Sequence, residues 1–101
     1  MNVQILGVAQ AEALDAADWY DQHTSGTGTR FLSALDALVA ELTRHPRRFS
    51  RVSRPPRGRD IRRAQLPGFP FTAVYEVAAE VVILSVTHAR SVRQPWRRRV
   101  P

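Results

Sequence analysis

Between Gly68 and Arg90 the chain reads GFPFTAVYEVAAEVVILSVTHAR, and this stretch narrows what the remainder can build. Its two runs, Phe71–Val77 and Val81–His88, are dominated by β-branched and aromatic residues and lack helical spacing. They predict two antiparallel strands joined by a tight turn at Ala78-Ala79-Glu80. The second run is apolar on both parities through Val81, Val82, Ile83 and Leu84, the pattern of a strand inside a sheet with both faces covered. Further on, Leu84, Val86 and His88 share one parity, and Ser85 and Thr87 share the other. The strand therefore delivers a histidine, followed by Arg90, to one end of the sheet.

The flanking sequence supplies what such a hairpin needs to cover it. Val3–Val8 reads as a short opening strand, weakened by Gly7. Gln10 to about His23 reads as an alanine-rich helix, with Leu14, Ala17 and Tyr20 near one face and Glu12, Asp15, Asp18 and Asp21 winding round the solvent side. Thr24-Ser25-Gly26-Thr27-Gly28 is turn chemistry, not a phosphate loop, because no strand precedes it and no lysine follows. A second helix from about Thr29 to Arg44 carries the clearest apolar stripe, Phe31, Leu35, Leu38 and Leu42, and Pro46 closes it. A loop follows from Pro46 to Asp60, with Phe49 and Val52 as its anchors. Asp60–Leu66 is then a third strand of the sheet, on which Arg62 and Arg63 take opposite faces. The order β-α-α-β-β-β predicts an α+β fold in which a helical hairpin packs on one face of a small, mainly antiparallel sheet. The second face is expected to be less covered, with the basic loop and tail beside it.

Charge is distributed unevenly. All fifteen basic residues are arginine. Residues 1–45 hold two arginines against six acids, whereas residues 46–101 hold thirteen against three. A GC-rich genome would explain the missing lysine, but not the clustering. The C-terminal half is thus suited to an anionic partner, nucleic acid or an acidic polypeptide. At 101 residues the chain is expected to be a single domain. It has no cysteine, and His23, His45 and His88 are far apart, so neither disulfides nor a metal site is expected. No membrane-length apolar run and no basic-then-apolar leader are present, which predicts a cytoplasmic protein without a membrane partner.

Taken in order, these pieces resemble the RelE/ParE superfamily of bacterial type II toxin–antitoxin toxins, the plasmid stabilisation proteins, and the ParE-like branch in particular. Ala11 to Tyr20, ending in Trp-Tyr, looks like the first helix of that family, and Arg30-Phe31-Leu32 with its leucine stripe looks like the second. His45-Pro46, Leu66 with Phe69-Pro70-Phe71, and the strands Val74–Val77 and Val82–Arg90 follow in the family's order. Pro95-Trp96-Arg97 is similar to a Pro-x-x-Trp-Arg tail, here with proline and tryptophan adjacent and with Ser91 where a second basic residue is common. Both departures bear on the molecular target more than on the fold.

The resemblance implies two different poisons. ParE-like members bind DNA gyrase and trap it, which needs a surface and no catalytic residues. RelE-like members cleave ribosome-bound mRNA without a metal, using the RNA's own 2′-hydroxyl, and need an acid, a base and cations for the phosphorane. For the second chemistry the candidates are His88, Arg90, Arg62 and Arg63, although the lysines and C-terminal tyrosine of the RelE-like pattern are absent. For a binding surface toward target or antitoxin they are Arg62, Arg63, His88, Arg90, Arg93, Trp96 and Arg97. A histidine ending a strand is more often hydrogen-bonded structure than catalyst, Trp96 would equally pin the tail to the sheet, and Tyr75 reads as core. The expected reading is a toxin of the gyrase-binding kind, with the mRNA endonuclease second and a non-toxic nucleic-acid-binding module third. The implied partner is a cognate antitoxin whose C-terminal segment wraps the toxin in a hetero-oligomer and through which DNA is met only indirectly. No cofactor is implied.

Overall fold

In a computed structural model describing residues 1–101, β1 (Val3–Ile5) leads into α1 (Gly7–His23) and α2 (Thr27–Arg44). The chain returns through β2 (Ile61–Gln65), β3 (Phe71–Val77) and β4 (Val81–His88), and closes with a 3-10 turn at Pro95–Arg98. The sheet order is β1-β4-β3-β2, with β1 parallel to β4 and the other pairs antiparallel. The expected architecture is therefore present, and β3 and β4 fall on the residues that their composition predicts.

The opening strand is shorter than Val3–Val8. After Leu6 donates its N–H to the Ile83 carbonyl at 3.1 Å, the chain turns directly into α1 at Gly7. Glycine is a poor continuation for a strand, and the alanine run beyond it favours helix. The buried face of α1 is Ala9, Ala13, Ala16 and Ala17, whereas Leu14 lies outward and exposed, contrary to its expected place beside Ala17. Small side chains bring the helices close. A Cβ on Gly28 would sit 2.3 Å from the Ala17 carbonyl oxygen, and Asp21 of α1 accepts the Gly28 N–H at 2.7 Å, supplying an acid to the start of α2. On α2 the predicted stripe Phe31, Leu35, Leu38 and Leu42 is buried against the sheet. At one end of this core Tyr20, Phe31, Phe69 and Phe71 pack ring to ring, with centroids 5.0 to 6.1 Å apart.

A register shift in β4 changes the expected parity. Val74 pairs with Ser85 but Tyr75 pairs with Ile83, leaving Leu84 as one surplus residue. Such a bulge sends the residues on its two sides to opposite phases. Val81, Ile83 and Val86 consequently all meet the helices, while Leu84 lies on the second face with Val74 and Ile61. Leu84 and Val86 are thus on opposite faces, not the same one.

The second face is also better covered than its sequence context implies. Trp96 is 4% exposed and packs with Val52, Ile61, Val74 and Leu84, so the tail forms a small second core. Across it Arg59 clamps the buried Glu76 carboxylate, donating from Nη2 to Oε1 at 2.8 Å and from Nε to Oε2. Truncating Trp96 to alanine should cost about 3–5 kcal/mol in equilibrium denaturant unfolding. A loss below about 0.5 kcal/mol, as expected of a surface appendage, would show that the tail does not belong to the core.

Candidate functional site

The predicted site residues divide into those engaged within the fold and those left at its surface. Arg62 is engaged. Its Nη1 donates to the carbonyls of Arg47 at 3.0 Å and Phe49 at 2.8 Å, and its Nε donates to Asp60 at 3.0 Å. It thereby pins the long loop to the edge of β2, where the backbone adds an isolated bridge between Arg51 and Arg62. Arg97 is similarly occupied, donating to the carbonyls of Ser53 and Arg54 at 3.1 and 2.9 Å while its guanidinium lies 4.4 Å from the Trp96 ring centroid. Trp96 is the buried anchor described above, so its ring is not available for stacking on a base.

Arg63, His88 and Arg93 are brought together. All three line one cleft at the far end of the second sheet face, floored by Thr72 and Thr87. His88 is exposed at the strand end, edge-on to Phe71 at 5.3 Å, and its Nδ1 accepts the Arg90 N–H at 3.1 Å. Accepting at Nδ1 places the proton of the neutral ring on Nε2, the atom left to meet a ligand. Arg90 is exposed just beyond the strand but is not among the residues lining the cleft. Tyr75, opposite Arg62 in the ladder, donates its hydroxyl to the Pro46 carbonyl at 2.8 Å; burial pushes its pKa up to about 12. No group of three or more His, Asp or Glu side chains is gathered to hold a metal ion.

Asp60 organises the base of the loop. Burial disfavours its charge, but hydrogen bonds from Arg62 and Arg51 outweigh that and hold its carboxyl below the ordinary range.

Two residues outside the predicted set shape the other end of the site. β1 pairs with β4 only over Val81–Ile83, so the outer edge of β4 has no strand beside it from Leu84 onward. There the Glu12 carboxylate accepts the Val86 N–H at 3.1 Å and pairs with Arg99 at 2.8 Å, while Arg99 donates to the Leu84 carbonyl at 2.9 Å. Glu12 is therefore not a solvated acid. The available signal was its position, three residues after Ala9 and four before Ala16, within the buried stripe of α1. Arg99 carried no local signal. Beyond this clasp a groove of about 760 Å³ opens between α1 and the ends of β3 and β4, lined by Asp15, Trp19, Tyr20, Phe71, Val86 and His88 among others. Trp19 stands 54% exposed on its rim, stacked on His23 at 3.9 Å.

Residues 3–93 match the family model described as the ParE toxin of the type II toxin–antitoxin system, parDE. The chain belongs to the ParE toxin family. Among solved structures, a chromosomal ParDE toxin–antitoxin system from P. aeruginosa is similar in fold to this chain. The TM-score is 0.63 at 22% identity, covering 87% of this chain and 95% of that one. No curated protein matches. The structure thus carries the ParE fold with the expected β-α-α-β-β-β element order, and no helix in it is long and apolar enough to cross a membrane.

Because its folded pKa is depressed, Asp60 contributes stability that is fully present above the ordinary carboxylate value of about 3.9. That contribution is lost as pH falls through the lower, folded value. Wild type and Asp60→Asn should therefore differ most in unfolding free energy at neutral pH and converge in acid. A gap that stays constant into acid would remove this role from Asp60.

Proposed function

We propose that the chain is the growth-inhibiting toxin of a type II pair, acting as one cytoplasmic domain that poisons DNA gyrase by binding it and is neutralised by a cognate antitoxin. The observation that carries this reading, beside family membership, is that one of the four candidates for RNA cleavage is taken up by the fold and the hydroxyl of Tyr75 is not free to replace the missing groups. Arg62 is bound by two loop carbonyls and Asp60, and the Tyr75 hydroxyl is bound by Pro46. What is left at the surface is a set of arginines and an apolar groove, which suits recognition more than proton transfer. A second reading has its own support in His88, which lies with Arg63 and Arg93 around one cleft and offers an acid–base group beside two cations. That reading is a ribosome-dependent mRNA endonuclease. Purified chain should inhibit gyrase supercoiling while leaving in-vitro translation unaffected; the reverse result would select the endonuclease.

The groove beside α1 suits the antitoxin. It is largely apolar, and its rim presents a half-exposed tryptophan, the residue type most often found as an interface anchor. An antitoxin segment that orders on binding would lay apolar side chains against Trp19, Tyr20, Phe71 and Val86, while its acidic residues would reach arginines outside the groove, whose own lining holds Glu12 and Asp15 and no arginine. Trp19→Ala should weaken antitoxin binding by about 30-fold, or about 2 kcal/mol, in titration calorimetry. Antitoxin should also raise the melting temperature of the wild-type chain. An unchanged affinity for the variant would move the antitoxin off this groove.

A further inference from the structure

We propose that the cleft between Arg63 and Arg93 binds a phosphodiester group, giving the chain a direct contact with the nucleic acid that its target holds. This rests on the reading that the target, gyrase or ribosome, is bound to nucleic acid. It adds a direct contact to the indirect one expected through the antitoxin.

The fold leaves these two guanidiniums free. Seven ion pairs engage other arginines, and Arg63 and Arg93 take part in none of them. Twelve residues line the cleft, and none is Asp or Glu. Its floor is built by the ladder itself. Thr72 and Thr87 are direct cross-strand partners, both partly buried, on the same face as Arg63 and Val74. Two hydroxyl donors therefore line the same cleft as two cations and the imidazole of His88. Arginine's forked donors and hydroxyl groups are the common partners of phosphate oxygens.

Size and neighbours narrow the ligand. The cleft holds about 140 Å³, below the roughly 300–1,000 Å³ of sites that enclose an organic ligand. It suits one tetrahedral anion and no more. Arg93 also lines the adjoining cleft with Arg98 and with Arg99, which neutralises the one carboxylate there, Glu12, so a net positive surface continues past a single anion, as the backbone of a strand requires. The buried Trp96 anchors the tail three residues beyond Arg93. The recognised group is the phosphodiester, whether in the DNA of gyrase or the mRNA of a ribosome.

The test is fluorescence anisotropy of the full chain with labelled single-stranded DNA and RNA oligonucleotides of one sequence, each across a salt titration. Each phosphate contact contributes about 0.7 to the slope of log K against log salt on a single strand. Arg63→Ala/Arg93→Ala should lower that slope by about 0.7 for the phosphate held in the cleft, rising to about 1.4 where Arg93 also meets the next phosphate. Arg30→Ala/Arg44→Ala, which removes the same charge from α2, should leave the slope as it is. Thr87→Val, which changes no charge, should weaken binding several-fold without altering the slope. Preference for the DNA strand would assign the phosphodiester to gyrase-held DNA, and preference for RNA to the ribosome's message. Equal losses in the two double variants, or no saturable binding by either oligonucleotide, would overturn the site. The assay contains neither gyrase nor ribosome, so its failure leaves the gyrase reading to the supercoiling measurement.

Discussion

A strand buried on both faces must find a hydrogen-bond partner for each backbone group it takes out of water, and β4 finds some of its partners in side chains. On one edge it has β3 throughout. On the other, β1 lasts only as far as Ile83. Beyond that point Glu12 from the first helix and Arg99 from the tail reach the amide of Val86 and the carbonyl of Leu84, while also neutralising each other. One ion pair thus joins the first helix, the central strand and the C-terminal segment. Partly buried charges are tolerable in this arrangement because each is paired and also hydrogen-bonded to the backbone.

The rest of the second face follows from that closure. With the tail drawn against the sheet, Trp96 fills the space over Val74 and Leu84, and Arg97 ties the same turn to the loop carbonyls at Ser53 and Arg54. Several arginines in the C-terminal half are therefore structural. They hold carbonyls and carboxylates of an otherwise irregular loop, a task for which a planar, five-donor group is better suited than an ammonium. Of the arginines left over, Arg63 and Arg93 line the cleft at the far end of the second face.

Much of this was legible in the sequence. The two central strands, the leucine stripe of α2 and the β-α-α-β-β-β order all rest on local periodicity, and the structure agrees with each. Less legible were features set by distant partners. The surplus residue at Leu84 is invisible to a period-2 reading, which places Leu84 and Val86 together although they lie on opposite faces. Glu12 resembled its acidic neighbours because its partners are more than seventy residues away. Arg62 and Arg63 lie on opposite faces, as strand alternation predicts, but which of them would be engaged was not legible, because the loop whose carbonyls hold Arg62 has no periodic code.

The bulge in β4 has a consequence for how such a chain diversifies. Through Val81, Ile83 and, beyond the surplus residue, Val86 the strand is committed to the helix layer, whereas Thr87 and His88 at its end line an open cleft. The end of the strand thus answers to neighbours other than those that hold its body. Residues at the open end are free to drift toward a new target while the packing that defines the fold stays under its own, independent constraint.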